Sequence, residues 1–192
     1  MKQTIVSLDL EGVLVPEIWI AVAEKTGIEA LRRTTRDEPD YDLLMRSRLD
    51  IMRENNIKLS DIQDVIASLS PLEAAKGFLD DLRAQTQVVI LSDTFVQFAN
   101  PLMRQLDWPV IFCNHLEVSD DVVVNYHLRQ PDQKRQSVAA FKSLNFEVIA
   151  AGDSYNDTNM LTEASHGILF RAPENIQSEF PQFPAVTEFD EL

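Results

Sequence analysis

Residues 4–13 read Thr4-Ile5-Val6-Ser7-Leu8-Asp9-Leu10-Glu11-Gly12-Val13, and the break between Leu8 and Asp9 decides the fold. The run up to Leu8 is short, apolar and β-branched, as expected of a strand buried on both faces in a parallel sheet. Asp9 then stands at the carboxyl tip of that strand. In open α/β sheets ligands bind in the crevice outside those tips, so a carboxylate there is placed for chemistry. Glu11 follows two residues on. Extended backbone sends alternate side chains the same way, so Asp9 and Glu11 can serve one site at two reaches, one as nucleophile and the other as acid/base. Gly12 permits a sharp turn close to a ligand. The competing reading is an acid that merely ends a strand and caps a turn.

The chain beyond this stretch falls into two patterns. Residues 16–26 have helical spacing, with Pro16 at the first helical position and Gly27 as the stop. A weaker helix is expected over 28–36, then a polar connection over 34–40 that contains Pro39. Helical period returns over 41–55, and Ser60 is read as the cap of a helix over 61–69. Helices alone therefore occupy residues 16–70, which predicts a helical cap subdomain inserted into a core made of 1–15 and 71–192.

From residue 72 helix and strand alternate. Helices are expected over 72–84, 95–106 (despite Pro101), 132–144 and 156–164. Strands are expected over 88–91, 110–112, 148–151 and 167–170, with a hairpin flap formed by 115–118 and 122–128 and a proline-punctuated tail. This alternation predicts an α/β fold with a doubly wound parallel sheet.

Composition narrows the function. The 192 residues carry a formal charge of -14, which argues against nucleic acid or an anionic membrane surface as partner. It also means that an anionic substrate needs local positive charge or a metal. No apolar run approaches the roughly 18 residues of a membrane span, and no basic-then-apolar leader opens the chain. Cys113 is the single cysteine. It excludes an intrachain disulfide, reads as a buried strand-end residue rather than a nucleophile, and makes a reducing cytoplasm the simplest compartment. His115, His127 and His166 have no metal-ligand spacing; the first two read as hairpin residues and the third as a turn residue.

Three strand tips now carry complementary polar groups: Asp9 and Glu11, Ser92, and Gly152-Asp153-Ser154-Tyr155-Asn156-Asp157. Asp9, Asp153 and Asp157 would make an oxygen-rich site suited to Mg²⁺. Lys134, opening a helix, can reach back to neutralise a phosphoryl group, with Arg135 next door as the alternative cation.

Asp9-x-Glu11, Ser92, Lys134 and Gly152-Asp153-x-x-Asn156-Asp157, in this order, resemble the four motifs of the haloacid dehalogenase superfamily of aspartate-nucleophile phosphatases. The helical insert resembles that superfamily's helical-cap branch. The match is closest to its bacterial phosphoserine phosphatase/homoserine phosphotransferase subgroup, through residues 8–17, 91–94 and 151–157. The resemblance implies hydrolysis of phosphoserine through an aspartyl phosphate, with homoserine as a possible alternative acceptor. It implies that Asp9 attacks phosphorus and Glu11 exchanges the proton. Mg²⁺ is then held by Asp9, Asp153 and the backbone carbonyl of Glu11, with Asp157 in or beside that set. Ser92, Lys134 and Asn156 meet the phosphate, and Glu17 and Arg48 hold the substrate amino and carboxylate groups. Without the resemblance, Glu17 is a first-turn helix acid and Arg48 a solvated residue.

Two departures from the wider pattern stand out. Glu11 replaces the usual aspartate and reaches one methylene further. Asp93 follows Ser92 where many phosphoserine phosphatases have glycine, which brings a like charge toward the phosphate; it must turn away, meet a cation, or bind the amino group of a second substrate. A receiver-like signalling module also uses an aspartyl phosphate, a Ser/Thr and a Lys, but it lacks a helical insert.

Overall fold

The computed structural model describes residues 2–35, 37, 38 and 40–192. Its centre is a seven-stranded sheet in the order β4-β3-β2-β1-β5-β6-β7. The strands are β1 (Gln3–Leu8), β2 (Gln87–Phe95), β3 (Val110–Ser119), β4 (Val122–His127), β5 (Phe146–Gly152), β6 (His166–Phe170) and β7 (Ala185–Val186). Every pairing is parallel except β3 with β4. The expected α/β doubly wound sheet is therefore present.

Strand alternation divides the core between the two faces of the sheet. Val6, Leu8, Val88, Ile90 and Ala151 join one hydrophobic cluster, which also takes in Ile18, Val22, Met45, Leu49 and Ile62 from the helical insert. Ile5, Val89, Leu91, Val148 and Ala150 join the other, with Val138, Met160 and Leu161. The insert comprises α1 (Ile18–Thr26), a 3₁₀ turn (Glu29–Arg32), α2 (Tyr41–Glu54) and α3 (Leu59–Ala67), followed by α4 (Ala75–Gln85). Next come α5 (Val96–Gln105), α6 (Gln133–Ser143), α7 (Thr158–Glu163) and α8 (Glu174–Glu179).

Register sets the position of the site. Leu8 lies level with Ile90 of β2 and Ala151 of β5, and the Asp9 amide donates to the Ala151 carbonyl at 3.0 Å. The polar residues just beyond these three level positions, Asp9, Ser92 within β2 and Asp153, consequently emerge side by side. Chain order reverses here, with β2 on one side of β1 and β5 on the other, which is where such sheets open a crevice.

Several local expectations are corrected. Pro16 precedes α1, whose N-cap is Glu17, and among the described residues of 28–36 the helical structure is the 3₁₀ turn Glu29–Arg32. Arg36 and Pro39, parts of the expected helix and connection, lie outside the described residues. Ser60 is not an N-cap; α3 starts at Leu59, and Lys58 at the N-cap position donates its amide to Asp61 Oδ2 at 2.8 Å without capping through its side chain. The amides of Leu59 and Ser60 donate instead to the Asp121 carbonyl and carboxylate in the β3–β4 turn, at 2.9 and 3.0 Å. A helix end needs such acceptors for its first amides, and here another element supplies them. The helix expected from 72 starts at Ala75, and that expected from 156 opens as a 3₁₀ turn, Tyr155–Asp157. His166 opens β6 instead of lying in a turn.

The short strand at 110–112 and the first hairpin strand are one continuous strand, β3, parallel to β2 at its start and antiparallel to β4 at its end. The tail contains α8 and β7. Pro101 is accommodated inside α5 because the carbonyl it would have served, that of Gln97, accepts from Gln63 Nε2 at 2.9 Å. Among the described residues no helix is long and apolar enough to cross a membrane.

Candidate active site

The loop after β1 doubles back at once. The Leu14 and Val15 amides both donate to the Leu10 carbonyl, and Gly12 N–H donates to the Val15 carbonyl at 2.9 Å. Gly12 takes a positive φ of 79°, and a Cβ there would sit 2.6 Å from the Asp153 carboxyl carbon. Glycine is required for both reasons, conformation and close approach. Gly152 has no room for a side chain either, because a Cβ there would run into the Asp157 carboxyl group.

This folding brings Asp9, Asp153 and Asp157 together, with one oxygen of each within 4.8 Å of the others and all three buried. Lys134, also buried, lies 2.9 Å from Asp9 Oδ1 and 2.8 Å from Asp157 Oδ1. Asp157 Oδ2 accepts from the Asp153 and Ser154 amides at 3.0 and 3.1 Å. The sequence left Lys134 and Arg135 as alternatives. Lys134 enters the cluster, while Arg135 pairs with Asp132 and Glu163 at the surface.

The charge balance of the cluster indicates what it can hold. Burial, then the Asp157 charge, raise the Asp9 pKa well above the carboxylate range, with Lys134 pulling the other way. Burial alone would lower the Lys134 pKa, but Asp157, Asp9 and Asp93 hold it well above the lysine value. Three buried carboxylates face one buried ammonium among the described residues. Buried charge of one sign needs a counter-charge, and an all-oxygen donor set fits a hard divalent cation such as Mg²⁺.

Glu11 turns toward α1, where its Oε2 accepts the Ile18 amide at 2.9 Å. Burial, followed by repulsion from Glu17, pushes its pKa up to about 7. That value suits a group that must both give and take a proton near neutrality. Ser92 is buried at the tip region of β2, its Oγ accepting the Thr94 amide at 3.2 Å.

Asp93 does not turn away. It meets Asn156 Nδ2 at 2.9 Å, Gln133 Nε2 at 3.3 Å and Lys134 Nζ at 3.7 Å. The other end of Asn156, its Oδ1, accepts from Ser154 Oγ.

Glu17 and Arg48 line the same cavity. Glu17 is the residue before α1 rather than a first-turn acid. Arg48 is buried, not solvated, with its guanidinium 4.5 Å from the Trp19 ring centroid and Nη2 donating to the Arg33 carbonyl at 2.7 Å. Its Nε has no hydrogen-bond partner among the described residues. Burial lowers its pKa to about 10, so it remains charged at neutral pH. One cavity is thus lined by Asp9, Glu11, Glu17, Arg48, Ser92, Asp93, Lys134, Asp153 and Asn156; Asp157 stands behind it.

Sequence reasoning missed the supports. Trp19 reads as helix core and nothing in the sequence pairs it with Arg48. Gln133 is buried beside Lys134 and donates to the Ser92 carbonyl at 2.7 Å. Tyr41 of α2 donates to the Asp93 carbonyl at 3.0 Å, tying the insert to the strand tip, and Asn114 Nδ2 donates to the same oxygen at 3.0 Å. Cys113 is buried, its thiol pushed up to about 11 by burial, as expected of an inert cysteine.

The sequence profile of the haloacid dehalogenase-like hydrolases matches residues 4–165. The chain is 66% identical over 189 residues to phosphoserine phosphatase ThrH of Pseudomonas aeruginosa, covering 98% of this chain and 92% of that protein. It is also 66% identical over 189 residues to a phosphoserine phosphatase of Pseudomonas syringae pv. tomato, covering 98% and 80%. Among solved structures, a phospho-aspartyl intermediate analogue of phosphoserine phosphatase superposes with a TM-score of 0.80 at 19% identity, covering 98% of this chain and 94% of that one.

Proposed function

Because the chain belongs to the haloacid dehalogenase-like hydrolase family, we propose that it is a Mg²⁺-dependent phosphoserine phosphatase that carries the phosphoryl group on Asp9. Two long relatives of high identity bear the name phosphoserine phosphatase. The observation that carries the reading is one cavity lined by two unlike sets of groups. Asp9, Ser92 and Lys134 suit a phosphoryl group, while Glu17 and Arg48 suit an ammonium and a carboxylate.

Asp9 Oδ1 accepts the Leu10 amide at 2.8 Å and pairs with Lys134, so attack on phosphorus falls to Oδ2. The bond from Oδ2 to phosphorus forms as the bond to the serine oxygen breaks. Glu11, whose pKa of about 7 makes both its forms available near neutrality, gives its proton to that leaving oxygen and then takes one from the water whose attack on phosphorus breaks the bond to Asp9 Oδ2 and releases phosphate. Lys134 and the Ser92 hydroxyl hold phosphoryl oxygens. Asp9, Asp153 and the Glu11 carbonyl would hold Mg²⁺, with Asp157 beside them orienting Lys134 and the Asp153 loop; the ion would neutralise phosphoryl charge. Residues 16–70 act as the cap that encloses the substrate, with Tyr41 as one of its ties to the core. The substrate is a small molecule, and neither nucleic acid nor a membrane is a partner. The single buried, inert cysteine suits a cytoplasmic setting.

Arg48→Ala tests the amino-acid end. We expect kcat/KM for phosphoserine to fall about a hundredfold, the effect of losing a two-point charged contact, and that for an aryl phosphate to stay within about threefold. Equal losses on both would remove the carboxylate anchor.

The phosphorylated Asp9 is equally open to an alcohol, so we extend the proposal to transfer onto homoserine. Incubation with phosphoserine and homoserine together should yield both inorganic phosphate and phosphohomoserine. Inorganic phosphate alone would make the protein a hydrolase only.

A further inference from the structure

Asp93 places a fixed negative charge among the groups that receive the phosphoryl end of the substrate. Its carboxylate takes hydrogen bonds from Asn156 Nδ2 at 2.9 Å and Gln133 Nε2 at 3.3 Å, and lies 3.7 Å from Lys134 Nζ. Its main-chain carbonyl is held at 3.0 Å by both Tyr41 Oη and Asn114 Nδ2. The side chain is 32% exposed and lines the same cavity as Asp9 and Lys134. The residue is fixed at both ends, so it does not swing aside easily when an anion enters.

Two consequences follow for any phosphoryl ligand. It shares Asn156 and Lys134 with a carboxylate already bound to or close to them, and it is repelled by a full charge in a partly desolvated site. Phosphoserine offsets this cost through its other end, where Glu17 and Arg48 line the cavity. Inorganic phosphate has no second end.

Resting on the phosphatase reading above, we infer that Asp93 loosens the hold of this site on any phosphoryl group, so that free phosphate, which has no second anchor, binds weakly and product inhibition is limited. It is not one of the reacting groups. It acts through its charge on the Lys134–Asn156 pair.

The test compares Asp93→Asn, Asp93→Ser and Asp93→Glu with the wild type at saturating Mg²⁺. The inhibition constant of inorganic phosphate is measured against phosphoserine hydrolysis, and phosphate binding is measured by calorimetry, which needs no turnover. Thermal unfolding of each variant checks that it is folded. Asparagine retains an acceptor for Asn156 while serine releases it, so a merely structural role would make the serine variant bind phosphate more weakly. A role through charge makes both neutral variants bind it about tenfold more tightly. Asp93→Glu should keep the weak phosphate affinity, and the inhibition constant of L-serine should be unchanged in all three. If neither neutral variant tightens phosphate binding, or if the glutamate variant tightens it as much, the inference falls while the phosphatase reading stands. If the wild type neither binds phosphate nor releases it from phosphoserine, the phosphatase reading falls and this inference with it.

Discussion

Asp9→Asn is expected to lower phosphate release from phosphoserine by at least about a thousandfold, because an amide oxygen is a poor nucleophile and Glu11, the other carboxylate of this loop, is turned toward the Ile18 amide. The fold should survive. Burial and the Asp157 and Asp153 charges raise the Asp9 pKa, so its ionised form is disfavoured in the folded protein. A group of this kind costs stability as pH rises through its folded pKa, and a neutral isostere removes that cost. Lys134 keeps Asp157 at 2.8 Å. The thermal midpoint of the variant at pH 7 without added metal should therefore equal or exceed that of the wild type. Substantial residual turnover would remove Asp9 as nucleophile, and a collapse of the midpoint would assign it a structural role.

The second large effect concerns the divalent cation. Chelation should abolish phosphate release and Mg²⁺ should restore it. Asp153→Asn should lower turnover by roughly a hundredfold or more even at high Mg²⁺, since one of three buried carboxylates is lost from the set. A readout independent of activity is thermal stability. A ligand present at a hundred times its dissociation constant stabilises the folded state by about 2.7 kcal/mol. In a chain of this length that corresponds to a rise of roughly 5–10 °C in Tm. The wild type should show such a rise with Mg²⁺ and the Asp153→Asn variant little of it. A wild-type midpoint indifferent to Mg²⁺ would count against a metal at these carboxylates.

The positions of the polar residues on the central strands were legible because each follows a short apolar run, although β2 continues past Ser92 to Phe95. Leu8 before Asp9, Leu91 before Ser92 and Ala151 before Gly152-Asp153 needed only the strand period and the rule that parallel sheets open at their carboxyl edge. Lys134 was half legible: its helix was evident, but the choice over Arg135 depends on which face of α6 turns inward. What pattern could not supply were contacts between distant elements. Trp19 beneath Arg48, Gln133 on the Ser92 carbonyl and Tyr41 on Asp93 each join residues whose pairing only the closed fold reveals. The continuity of β3 was hidden by Asn114 and His115, which interrupt the apolar run just where the strand changes from a parallel partner to an antiparallel one. Ser60 looked like a cap because its residue type fits; the acceptor for its amide came from a turn sixty-one residues away.

The guanidinium of Arg48 is seated on Trp19 and moored to the Arg33 carbonyl before any ligand arrives. A free arginine side chain surrenders roughly 1.5–2 kcal/mol of rotamer entropy when it is immobilised. Here that loss is incurred when the chain folds, so a small zwitterion of the proposed kind would meet an arm that has already stopped moving, and more of the contact energy would remain as selectivity for it.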